Sequence, residues 1–77
     1  MKIEVLGPGC PRCQTLEANV REAIRQLDIE ADVEKVTAMG EIAARGVMSV
    51  PGVVVDGEVV STGKLLSVEE VKTILGK

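Results

Sequence analysis

Hydrophobic positions follow two rhythms along the chain, and each change of rhythm marks an element. Ile3, Val5 and Leu6 form a short apolar run that Gly7-Pro8-Gly9 stops, which predicts a strand over 3–6. After Pro11 the spacing lengthens. Leu16, Val20, Ala23, Ile24 and Leu27 recur at threes and fours, the stripe of one helix face. Proline suits the first helical position, where its missing N–H has no intrahelical acceptor, so a helix is expected over about 11–28. Ala31 to Val36 reads as a second strand, and Met39, Ile42, Ala43 and Val47 as a short second helix ended by Gly46. Gly52-Val53-Val54-Val55 and Glu58-Val59-Val60 flank Asp56-Gly57, the residue pair of a two-residue hairpin turn. Ser67 stands three residues before Glu70, a capping box, and Val68, Val71, Ile74 and Leu75 stripe the final helix, closed by Gly76.

The order is therefore β-α-β-α-β-β-α, an α/β chain. The β-α-β-α-β portion implies three parallel strands joined by crossovers, and the hairpin adds an antiparallel fourth. A mixed four-stranded sheet with helices on both faces is expected. A chain of 77 residues is enough for one core, so residues 1–77 are expected to form one domain, too small for a barrel or a dinucleotide-binding fold.

Composition narrows the chemistry. The chain has no aromatic residue, which removes the stacking platforms of single-strand and RNA binding. It has no His, which removes imidazole bases and His-containing zinc sites. The net charge of −3 gives no phosphate-backbone footprint, so no nucleic-acid partner is expected. Apolar runs such as Val53-Val54-Val55 fall far short of a membrane span of roughly 20 residues, and Met1 to Leu6 is too short for a signal-peptide core. A soluble cytoplasmic protein with no membrane partner is the expectation.

The two cysteines, Cys10 and Cys13, lie in Cys10-Pro11-Arg12-Cys13, where the first strand hands over to the first helix. A disulfide here would close a very small ring, worth roughly 2 kcal/mol of chain entropy, which makes a poor structural staple. A thiolate at a helix N-terminus is stabilised by the unpaired N–H groups and the positive dipole end, and Arg12 adds a positive charge within one turn. Cys13 falls inside the first turn and should be the more buried, with the higher pKa. One exposed attacking thiol backed by a resolving thiol is the asymmetry that thiol–disulfide exchange requires. Two other readings stand beside it. The pair could be ordinary buried cysteines, or two thiolates could hold Cu(I) in a soft-metal binding or chaperone module. Zinc would need ligands from a second chain. Copper chaperones of ferredoxin-like fold also carry Cys-x-x-Cys at a strand-to-helix turn, but they run β-α-β-β-α-β.

A strand, then Gly-Pro-Gly-Cys-Pro-Arg-Cys, then an amphipathic helix, then Ser49-Val50-Pro51-Gly52 before a Val-rich hairpin resembles the thioredoxin/glutaredoxin superfamily. The likeness is greatest to the small thioredoxin-like redox-active disulfide proteins of archaea and bacteria, and it spans essentially the whole chain. It implies a thioredoxin-like fold and a protein dithiol–disulfide oxidoreductase. In that reading Cys10 attacks a substrate disulfide and Cys13 resolves the mixed disulfide. The resemblance also implies a cis Val50-Pro51 bond facing Cys10 across a shallow groove. Val50 would then offer its backbone N–H and C=O to an extended substrate, and Pro51 would keep metals from the thiolate. Pro11 and Arg12 would modulate the pair. No cofactor is implied, since there is no room for a flavin or nicotinamide. A separate reductase of the thioredoxin-reductase type would restore the dithiol of a monomer.

The motif departs from its relatives in places. Gly9 stands where thioredoxins carry Trp, and Arg12 where glutaredoxins carry Tyr or Phe. Gly63-Lys64 replaces the Gly-Gly turn that holds glutathione, which points to protein disulfides as substrates.

Glu4, six residues before Cys10, matches the buried carboxylate thought to take a proton from the second Cys in thioredoxins. In an apolar strand its pKa would be raised, and Lys35 is the neighbour expected to neutralise it. A solvated strand residue is the plainer reading of Glu4. Met48 either lines a hydrophobic substrate groove or packs in the core. Glu17, Arg21, Glu22 and Arg25 read as a solvated, paired helix face, and Gly63 as a turn or close backbone approach near the active site.

Overall fold

The computed structural model describes residues 1–9 and 11–76. Its elements run β1 (Lys2–Leu6), α1 (Pro11–Leu27), β2 (Asp32–Val36), α2 (Met39–Ala44), β3 (Gly52–Val55), β4 (Glu58–Thr62) and α3 (Val68–Leu75). The strands form one mixed sheet in the order β2-β1-β3-β4.

Alternation along β1 splits the core between the two faces of the sheet. Ile3 and Val5 join Leu16, Val20 and Ala23 of α1, Val53 of β3, and Val71 and Leu75 of α3. On the other face Leu6 joins Val36, Ile42, Val47 and Val54 beneath α2. Helices therefore cover both faces, as expected. On α2 only Ile42 is buried; Met39 and Ala43, expected on its apolar stripe, are exposed, and Val47 packs from the loop beyond the helix.

Strand direction corrects the sequence reading. β1 and β2 are parallel, with Leu6 opposite Val36. β3, expected parallel, runs antiparallel to β1, with Leu6 opposite Gly52 and Ile3 opposite Val55. The cause is the long return after α2. A helix of six residues advances about 9 Å, and the turn and bends of residues 45–51 supply enough chain to cover that distance in return. The chain comes back to the end of the sheet where α2 began and enters β3 from there. Only β1-α1-β2 is a parallel crossover. β4 then pairs antiparallel with β3, with a register shift between Val53 and Val54.

The local signals act where the sequence puts them. Asp56 and Gly57 both have positive φ, 51° and 85°, as a type I′ turn requires. At α3 the Ser67 side chain accepts from the Glu70 N–H at 3.2 Å, and Glu70 accepts from the Ser67 N–H at 3.0 Å. On α1, Arg21 pairs with Glu17 at 2.9 Å and Arg25 with Glu22. Among the described residues no helix is long and apolar enough to cross a membrane.

Candidate active site

Because β3 is antiparallel to β1, several connections meet at one end of the sheet. The loop after Leu6, the loop after Val36, the segment leading into Gly52 and the turn after Thr62 all lie there, since Leu6 opposes both Val36 and Gly52 and Gly52 opposes Thr62. Residues far apart in sequence thus form one rim.

The first part of the rim is Gly7 to Cys13. Gly7 donates its N–H to Val36 O at 2.9 Å, continuing the β1–β2 ladder. A Cβ built on Gly7 would run into the Cys13 sulfur and lie 3.0 Å from Cys13 Cβ, so the sulfur occupies space that only glycine leaves open. Gly9 has φ 90°, which favours glycine, and its carbonyl accepts from the Gln14 side-chain amide at 3.1 Å. Pro11 is the first residue of α1, and the Thr15 hydroxyl donates to Pro11 O at 3.0 Å. Pro11 and Arg12 are exposed, whereas Cys13, in the first turn, is only 5% exposed. Cys10 lies outside the described residues, and with it the expected exposed thiol and its groove to Pro51.

The second part is Val47 to Gly52. The Val50-Pro51 bond is cis, the isomer that the resemblance implied. Pro51 is buried, and Val50 is half-buried against the α2-side core. Gly63 donates its N–H to Pro51 O at 2.8 Å, with φ 69° and the Ser49 Cβ 2.9 Å from where its own Cβ would be. Gly63 is therefore both a turn and a close approach, pressed onto the proline segment. Met48 is neither core nor half-buried: it is 91% exposed.

Glu4 lies on the α2 face of β1 and is 7% exposed, so it is not a solvated strand residue. Its partner is Arg45, at the end of α2. Arg45 Nε donates to Glu4 Oε1 at 3.0 Å and Nη2 to Oε2 at 2.9 Å, while Nη1 holds the Glu41 carbonyl at 2.9 Å. This two-pronged hydrogen bonding outweighs burial and holds the carboxyl below its ordinary range, with the Arg45 and Lys2 charges acting the same way. The expected upward shift is thus reversed. Lys35, the neighbour expected to neutralise Glu4, instead pairs with Glu17 at 3.7 Å. Arg45 had no motif to mark it, since only the return of the chain after α2 brings it to β1. Gly7 does carry a signal, a glycine at the end of an apolar strand six residues before Cys13, but a glycine there also simply ends a strand.

Among the described residues no group of three or more His, Cys, Asp or Glu could hold a metal ion. A cleft of about 370 Å³ between β4 and α3, lined by Val60, Leu66 and Ile74 among others, contains none of the expected site residues. The observed element order is not that of the copper chaperones on which the metal reading drew.

Comparison with known proteins agrees with the fold. A family model for the thioredoxin domain matches residues 1–76. A thioredoxin of Methanothermobacter thermautotrophicus is 47% identical over 75 residues, covering 97% of each chain. A thioredoxin of Methanocaldococcus jannaschii is 44% identical over 70 residues, covering 91% of this chain and 80% of that one. A match over nearly the full length, on a sheet that brings the Cys13 and Pro51 segments to one rim, identifies the chain as belonging to the thioredoxin family of thiol–disulfide oxidoreductases.

Proposed function

We propose that Cys10 is the attacking thiol and Cys13 the resolving thiol of a carrier that reduces protein disulfides. The observation that supports this division is the burial of Cys13 against Gly7 in the first turn of a helix that opens one residue after Cys10 in the chain. A helix N-terminus favours a thiolate close to it, and exposure decides which thiol a bulky substrate reaches. The Cys10 thiolate attacks one substrate sulfur, forms a mixed disulfide and displaces the other sulfur as a thiolate. Cys13 gives up its proton, which the released substrate thiolate can take, and attacks Cys10. The second substrate sulfur leaves, and the Cys10–Cys13 disulfide remains. One substrate disulfide gains two electrons and the protein dithiol loses two. A separate reductase of the thioredoxin-reductase type returns them, in the reducing cytoplasm, to a monomer built as one domain over residues 1–77.

Val50 and Pro51 form the substrate-facing side of the rim, where the Val50 backbone is available to an extended segment. Pro11 and Arg12, both exposed, set the surroundings of the attacking thiol. Glu4 holds no proton in this scheme, because Arg45 keeps it charged; it modulates the site by fixing the chain after α2.

The test is alkylation and trapping. Brief iodoacetamide treatment of the reduced protein at mildly acidic pH should label Cys10 first. Cys13→Ser should accumulate mixed disulfides with substrate proteins, and Cys10→Ser should trap almost none. Equal trapping by the two variants, or first labelling of Cys13, would overturn this division of roles.

A further inference from the structure

We infer that Met48 is a specificity-determining residue of this exchange, an apolar anchor that seats protein disulfides and takes no part with small ones. The inference rests on the exchange chemistry proposed above. Three observations carry it. Met48 is 91% exposed, more than any other large apolar side chain among the described residues, and so gains almost nothing from folding. It is nevertheless held at its base. Val47 before it is 2% exposed and packs in the α2-side core, while Ser49 and Pro51 after it are fixed against Gly63. Finally, its neighbours Val47 and Ser49 pack against Gly52 and Gly63, at the rim ends of β3 and β4, so it stands where a disulfide must come to meet the Cys10–Cys13 pair.

The composition explains why a methionine would serve here. Binding surfaces usually draw their energy from Trp, Tyr and Phe, and this chain has none. Methionine is the remaining large apolar side chain that can adapt to different partners, through its unbranched stem and polarisable sulfur. A fixed base with an exposed, unbranched tip suits a carrier that meets many substrates, whose shared chemistry is an uncharged or apolar residue beside the disulfide. A disulfide without flanking residues has nothing to place on Met48.

Steady-state reduction of insulin, with dithiothreitol restoring the dithiol, is compared with reduction of 5,5′-dithiobis(2-nitrobenzoate). Met48→Gln and Met48→Glu should raise KM for insulin about fivefold to tenfold, the size of one lost interface anchor, with kcat within about twofold. The small disulfide should be reduced at the wild-type rate by both. Met48→Leu should restore the insulin KM, and Val59→Gln, beside the hairpin turn at the far end of the sheet, should change neither. An unchanged insulin KM in both polar variants overturns the inference. Equal loss on both substrates also overturns it, because it marks a disturbed rim rather than a lost contact. If the wild-type protein reduces neither disulfide, the failure belongs to the exchange reading itself.

Discussion

The space beside the Cys13 sulfur is closed enough that a single methyl group probes it. Gly7→Ala places its Cβ on that sulfur, and overpacking of this kind typically costs about 1–3 kcal/mol. Urea denaturation of the reduced protein should show that loss. In a Cys13→Ala background the sulfur is gone, so the same substitution should cost much less. An equal cost in both backgrounds would place the clash elsewhere. Arg45 offers a second test at this scale. Glu4 has its folded pKa lowered, so the pair stabilises the protein above the ordinary value near 4.5, and that contribution is lost as pH falls through the lowered value. Arg45→Met should therefore lower the urea midpoint at neutral pH, with the gap to wild type closing as the pH falls below the ordinary carboxylate value near 4.5. A gap that stayed constant with pH would show that Arg45 acts by packing its stem and not by its charge.

Among the elements, the start of α3 carries a side-chain capping box, whereas the Ala38 start of α2 has no side-chain cap. The α3 box satisfies two N–H groups, and Ser67→Ala should cost about 1 kcal/mol in chemical denaturation. Asp would replace Ser67 with little loss. These local devices were legible because each is complete within a few residues: Ser67 with Glu70, Asp56 with Gly57, the stripe of α1. The direction of β3 was not, because alternation reports which face a strand buries and says nothing of the end from which the chain enters it. The same gap hid Arg45, whose carboxylate partner is 41 residues away. It also left Met48 open between groove and core, since an apolar residue in a loop has no periodicity to say whether it turns inward. Of the site itself, the cysteine motif and the proline were visible as spacing. The glycine that makes room for a buried sulfur becomes visible only once β1 and α1 are packed.

For the whole molecule, acid should act through a few carboxylates. Lys64 and the Ser67 backbone hold Glu70 down to about 2, and Arg25 and Gln26 do the same to Glu22. All these groups are lowered, so the stability they lend should be fully present above the ordinary carboxylate value near 4.5 and fall away toward about 2. Because the Glu22 and Glu70 pairs are exposed, added salt should blunt their part of the acid sensitivity, leaving the Glu4 part in place. Urea midpoints at low and high ionic strength across that range check both statements. The antiparallel entry of β3 has a further consequence. With the reactive rim at one pole, the opposite pole gathers the start of β1, the Asp56-Gly57 turn, whose Asp56 N–H donates to Lys2 O at 2.8 Å, and the far ends of α1 and α3. That pole is a handle. The molecule can be anchored to a bead, a second protein or a surface through its amino end or its hairpin and still present its working end outward, like a brush held by its stem.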